Sequence, residues 1–251
     1  MNTHILVSPL HDPAGILLPH LLTTQTAFPR IYTQTILSVS PITRQKYASQ
    51  IAQIRQNEHF SLLDTPNELT LGDEFRQLYH HAAKTVSDDA ILHLGFIDRV
   101  LFALQPERIT VFKQDVWDVN SLPLMFHRSE RAWETHPNNY RAFEEMVTIT
   151  GKWLFGKTLD FAWCYMMMTP AQLRRALAKN SSPHISMLAE MAVALRDEIR
   201  TKDVDWLAWE DPFLLEQDPL ALKQERENSP EEIRKRLNYV IPMLEILRDA
   251  I

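Results

Sequence analysis

Two spacings of apolar residues alternate along the first hundred positions. Short apolar, β-branched runs at 4–10 (HILVSPL), 31–39 (IYTQTILSV), 60–63 (FSLL) and 90–94 (AILHL) end at Ser8-Pro9, Ser40-Pro41, Asp64 and Gly95. Runs of that length with turn-forming ends predict buried strands. Between them the spacing lengthens to three and four. It predicts a helix over 16–26 broken near Pro19, another over 43–56 through Tyr47, Ile51 and Ile54, and a third over 70–84 with Phe75, Leu78 and Tyr79 on one face. Four strands joined by three helical connections predict a parallel sheet with right-handed crossovers. A short apolar helix over 100–104 follows the fourth strand at once.

The second half is less regular. It predicts helices over 109–119 and 138–155, the longer carrying Tyr140, Phe143, Val147 and Leu154, with a strand over 122–127 (LPLMFH) between them. The apolar run 161–168 fits a strand or a buried helical turn. Pro170, at a favoured first-turn position, opens a helix to 179. An amphipathic helix over 187–200 and a strand over 205–209 (DWLAW) come next. Residues 211–229, acidic and proline-bearing, read as a surface connection. Ser229-Pro230-Glu231-Glu232 has the cap, the proline and the acidic first turn of a helix running on to 251. The expected fold class is α/β over a single domain, 1–251. It has a mostly parallel central sheet with flanking helices and a helical C-terminal extension, 211–251.

Composition narrows the function classes. A formal net charge of −6 argues against nucleic acid or an anionic membrane as the main partner. One cysteine, Cys164, permits no internal disulfide and no cysteine-based zinc site. Without a basic or histidine partner nearby in sequence, it reads as an inert buried thiol. No apolar stretch approaches the ~20 residues of a membrane helix, and Met1-Asn2-Thr3-His4 does not open a secretory leader. The expectation is a soluble, cytoplasmic protein. With five glycines, the chain contains neither G-x-G-x-x-G nor a P-loop, which excludes the standard dinucleotide and P-loop sites.

The polar residues that close the strands come in a suggestive order: Ser8-Pro9-Leu10-His11-Asp12, then Ser38-Val39-Ser40-Pro41-Ile42-Thr43, then Asp64. Asn67-Glu68-Leu69-Thr70-Leu71-Gly72 opens a helix, and Gly95-Phe96-Ile97-Asp98 follows the fourth strand. This order resembles the GT-A-fold nucleotide-sugar glycosyltransferases, in particular the family-2-like group that includes dolichol-phosphate-mannose synthases. Leu159-Asp160-Phe161-Ala162-Trp163 with Met168-Thr169-Pro170-Ala171-Gln172 resembles that group's acceptor-side element. The stretch from Phe126 to Pro137 resembles a bacterial set of glycosyltransferase-like proteins. The resemblance spans about the first 180 residues and rests on order and spacing. The chain departs from the family pattern at Gly95, where an acid of the Asp-x-Asp motif is expected. It departs again at the second-strand turn, which has no acid, and at 163–168, where a glycine gives way to aromatics and methionines.

The resemblance implies sugar transfer from a nucleoside-diphosphate donor. Asp98 would hold a divalent cation (Mg²⁺ or Mn²⁺) or the donor, though a helix N-cap suits it equally. Asp12 and Asp64 would contact the nucleoside; both also suit plain turns. Arg128, Arg131 and His136 would bind the diphosphate, unless they belong to a solvated loop. Glu144 and Glu145 are adjacent on a helix and cannot share a face. Glu145 is the candidate base, with Asp160 as an alternative acceptor-side carboxylate. The run 163–168 suggests a hydrophobic acceptor site or, more simply, core. The alternative function is a degenerate relative that binds a nucleotide or a partner protein without turnover. A nucleotidyltransferase is disfavoured, because His11-Asp12-Pro13-Ala14-Gly15 supplies no glycine-rich, lysine-bearing loop. The glycosyltransferase assignment requires Asp64, Asp98 and Arg131 to border one hollow at the rim of the sheet.

Overall fold

The computed structural model describes residues 3–251; Met1 and Asn2 of the amino-terminal stretch lie outside it. Seven strands form one sheet: β1 (His4–Leu10), β2 (Gln34–Val39), β3 (Phe60–Asp64), β4 (Ile91–Leu94), β5 (Leu124–Arg128), β6 (Met166–Met168) and β7 (Arg200–Val204), in the order β3-β2-β1-β4-β6-β5-β7. The first four are parallel, as their helical connections require. β6 runs antiparallel between β4 and β5, and β5 pairs parallel with β7. The fold class is therefore α/β with a mostly parallel sheet, as expected.

Strand residues alternate between two cores. Ile5, Val7, Leu92, Leu94, Met166 and Met168 face one layer, which includes the helices Leu71–Thr85, Pro170–Leu177, Met187–Leu195 and Pro230–Asp249. Leu6, Leu10, Leu37, Val39, Ile91 and Met167 face the other, with the helices Leu17–Thr24, Ala48–Arg55, Ile97–Ala103 and Ile109–Trp117. Burial on both faces explains why these strands read as continuous apolar runs. The methionines of β6 are wholly buried core. Cys164, in the turn before β6, is buried with its thiol pKa pushed up by desolvation, consistent with an inert thiol.

Pro9 lies in a central strand and is tolerated for a local reason. The Val7 carbonyl accepts from Gly95 N–H, so Pro9, two residues on, turns its missing donor to the same side. The β4 pairing has ended by then, at Val7 opposite Leu94. The two strands part here.

Three sequence expectations need correction. The last strand is 200–204, an edge strand whose RTKDV is polar apart from Val204, which is buried, whereas 205–209 is a turn that inserts Trp206 and Leu207 into the core. Residues 211–229 carry two helices, Asp211–Leu214 and Pro219–Glu227, rather than a bare connection. The 43–56 helix is two, Pro41–Lys46 and Ala48–Arg55, separated at Tyr47.

Candidate functional site

A cleft of about 400 Å³ opens where β1 and β4 diverge. Its floor is the turn after β1, including His11, Asp12 and Ala14, and the turn after β4, with Phe96, Asp98 and Arg99. Trp163 and Tyr165 supply one wall; Arg226 and the C-terminal helix, through Lys235, Arg236 and Tyr239, supply another. In an open α/β sheet the crevice at the carboxyl ends of strands, where the strand order reverses, is the favoured ligand position. Here β1 is followed by β2 on one side and β4 lies on the other.

The β1 turn is held by a chain of small polar groups. The Asp12 carboxylate accepts from the backbone N–H groups of Ile16 (2.8 Å), Leu17 (2.9 Å) and Leu18 (3.0 Å). It thereby fills the anion position at the start of the helix Leu17–Thr24. Asp12 N–H donates to Thr43 Oγ1 (2.7 Å), which lies 2.9 Å from Ser40 Oγ, itself 3.0 Å from His11 Nδ1. The second-strand turn thus positions the first. Asp12 borders the cleft with its oxygens already engaged, which leaves little for a nucleoside.

Asp98 does not cap its helix. The N-cap is Phe96, without a side-chain bond, and Asp98 Oδ1 accepts only from the next amide, Arg99 N–H (2.7 Å). Burial raises its pKa; Arg99 opposes that and Asp211 adds to it. Arg99 is ion-paired with Glu210 and donates to the Ala208 carbonyl (2.8 Å). Burial also pushes Tyr165 up to about 12, so its phenol stays protonated at neutral pH.

Behind the cleft runs a buried ion network. Arg128 lies 2.6 Å from Glu144 and 3.3 Å from Asp160, and its guanidinium stacks 3.8 Å over the Trp133 ring. Burial alone would lower the Arg128 pKa; Glu144 and Asp160 reverse that and hold it high. Glu144 is shared with Arg236 (3.0 Å), which stacks 3.5 Å over Tyr140. Tyr140 donates to Glu232 (2.5 Å), which also pairs with Arg226. The network ties the helix Asn138–Phe155 to the helix Pro230–Asp249, and so fixes one wall of the cleft.

Of the residues expected at the site, only Asp12 and Asp98 line this cleft. Asp64 ends β3 in ion pairs with Arg55 (2.5 Å) and Arg44 (3.6 Å). Arg131 is exposed and 3.4 Å from Asp205. Asp64, Asp98 and Arg131 therefore border no common hollow: the donor site expected from the sequence is corrected, and a glycosyltransferase reading has to rest on other residues of this cleft. Arg128 is consumed by its carboxylates. His136 is buried, Nδ1 is 2.9 Å from the Ala132 carbonyl, and burial with nearby Arg128 keeps its pKa low. Neither is available to a diphosphate. Glu145 pairs with Arg141 (2.8 Å) and borders a separate hollow together with Asp160. Asp160 also accepts from the Ala162 and Trp163 amides (3.0 and 3.2 Å), which makes it a turn-former.

A resident divalent cation does not fit. Among the described residues no group of three or more His, Cys, Asp or Glu is placed to hold a metal. Asp98 shares the cleft with Asp211 and with Glu210, which Arg99 takes up, and these leave too few free carboxylates to hold a cation unaided.

Sequence reasoning passed over Arg99, Lys235, Arg236 and Tyr239, while Trp163, read as part of a hydrophobic acceptor site or of the core, lines the cleft. Arg99 stood beside a residue singled out. Lys235 and Tyr239, four apart, share a helix face, a signal that was legible. That this face meets the strand ends was not legible, since the contact spans more than a hundred residues.

No protein-family model matches the chain, and no curated protein matches its sequence. Among solved structures it is similar to glucosyl-3-phosphoglycerate synthase from Mycobacterium tuberculosis in complex with uridine diphosphate. The TM-score is 0.55 and the identity 12%, over 98% of this chain and 80% of that one. At that identity the likeness is one of fold, and the fold is GT-A-like.

Proposed function

We propose that the cleft binds a nucleoside-diphosphate sugar and that the protein is a glycosyltransferase working without a resident metal. The observation that carries this reading is the position of the cleft, at the reversal point of a GT-A-like sheet, with both cations and aromatic rings in its lining. The donor's negative charge needs neutralising as the diphosphate departs. Lys235 is the freest cation present, exposed and 3.9 Å from Glu232; Arg226 and Arg236 stand beside it. Phe96, Trp163 and Tyr239 offer ring faces for a base or a sugar.

Asp98 is the proton acceptor in this scheme. The acceptor's hydroxyl oxygen bonds to the anomeric carbon, its proton passes to Asp98, and the sugar–phosphate bond breaks with its electron pair leaving on the diphosphate. A carboxylate of raised pKa suits that task. Membership of the dolichol-phosphate-mannose-synthase-like group is part of the proposal, supported by the order of the strand-end residues.

A second reading is a binder without turnover. Gly95 in place of an acid and the engagement of Arg99 by Glu210 favour it. Thermal shift with UDP-, GDP-, ADP- and CMP-sugars, with and without Mg²⁺ or Mn²⁺, separates the two when paired with a release assay for free nucleotide. Stabilisation by one sugar nucleotide without added metal, with nucleotide release lost in Asp98→Ala, supports the enzyme. Stabilisation without release supports the binder, and no response to any nucleotide contradicts both.

A further inference from the structure

The helix Asn138–Phe155 carries two seams of opposite facing. Tyr140, Glu144, Val147 and Gly151 are buried. Ala142, Met146, Ile149 and Trp153 repeat the same four-three-four spacing two positions on, about 200° around the helix, and all are exposed. The exposure reaches 43% at Ile149 and 79% at Trp153. A single exposed apolar residue needs no explanation, but a continuous stripe at this spacing is the seam of a helix pair.

We propose that this helix packs antiparallel against the same helix of a second copy of the chain, forming a two-fold dimer. Size and charge both select that occupant. An antiparallel copy centred between Met146 and Ile149 sets those two residues against each other and places small Ala142 opposite Trp153 of the second copy. Large then fills small, as packed interfaces require. The same register brings Glu145, beside the seam, to Lys152 of the second copy, and does so twice by symmetry. A parallel copy would set Glu145 near Thr150 and lose the charge match. Burying Trp153 supplies the aromatic anchor on which such interfaces depend.

Sedimentation equilibrium of the full chain over a micromolar concentration range tests the proposal, with circular dichroism confirming that each variant folds. The wild type should dimerise, and Trp153→Glu should raise the dissociation constant by about thirtyfold or more, the scale of losing a buried tryptophan anchor. Lys152→Glu should weaken the dimer, and Glu145→Lys combined with Lys152→Glu should restore it. A wild type that stays monomeric, a dimer indifferent to Trp153→Glu, or a charge swap without rescue overturns the proposal. Binding of a monomer to phosphatidylcholine–phosphatidylserine vesicles through Trp153 does so too, by giving the face to lipid.

Discussion

Glu144→Gln is the sharpest test of what holds the cleft wall in place. The change keeps the shape of the side chain and removes one charge between two guanidiniums. The Glu144 side chain is 5% exposed and that of Arg128 2%, so solvent screens this pair little. Removing one partner of a buried ion pair costs about 3–5 kcal/mol, because a charge is left uncompensated in a poorly solvated place. Arg128 keeps Asp160 at 3.3 Å, which favours the lower end of that range. Arg236 loses its 3.0 Å partner and retains its stack on Tyr140. A loss of about 3 kcal/mol lowers the Tm of a domain this size by roughly 6–12 °C. The neighbouring Glu145→Gln provides the control. It deletes the same charge from a pair with Arg141 whose side chains are 37% and 30% exposed, and such a pair contributes about 0–1 kcal/mol. Urea unfolding followed by far-ultraviolet circular dichroism measures both variants under the same conditions. If Glu144→Gln falls within about 1 kcal/mol of Glu145→Gln, buried charge pairing does not hold the helix Pro230–Asp249 over the cleft, and the reasoning fails.

Further outcomes follow from the same contacts. Asp98 has its pKa raised by burial, so the native state binds its proton more tightly than the unfolded chain does. Stability contributed at this group falls as pH rises from the usual carboxylate range through the raised value. Asp98→Asn should therefore raise Tm at neutral pH, with the gain shrinking in acid; a variant less stable at neutral pH contradicts this. Gly151→Ala would drive a Cβ into the Phe161 ring. Overpacking of a buried ring costs about 1–3 kcal/mol by urea unfolding, and a variant of unchanged stability contradicts the packing described. Lys235→Ala and Trp163→Ala should each reduce the thermal shift produced by a sugar nucleotide. Asp64→Ala and Arg131→Ala should leave it unchanged, since neither residue reaches the cleft.

Much of the fold was legible because burial leaves a local trace. β1, β2 and β4 are covered on both faces, so each reads as an apolar run whatever it packs against, and the edge strand β3 keeps its apolar residues Phe60, Leu62 and Leu63. The helix Asn138–Phe155 was legible to its ends, with Gly156 stopping it at a φ of 70°. β7 left no such trace, because an edge strand carries polar residues on both sides. The site was legible only in part. The turns after β1 and β4 could be placed at the ligand edge from their order alone. Asp12, Arg128, His136 and Asp160 have the side chains of ligand-binding residues, yet each is already engaged by other groups of the chain. Sequence shows which groups are present and not which are already partnered; that depends on contacts such as Arg128 with Glu144 and Arg236 with Tyr140.

In the proposed function the donor site is the cleft where β1 and β4 diverge. A crystal structure of the protein soaked with the sugar nucleotide that stabilises it most, in metal-free buffer, tests this directly. Density is expected for the diphosphate beside Lys235 and Arg226, with the sugar reaching Asp98. Density for the nucleotide at the separate hollow bordered by Glu145 and Asp160, with the β1–β4 cleft bare, would contradict it.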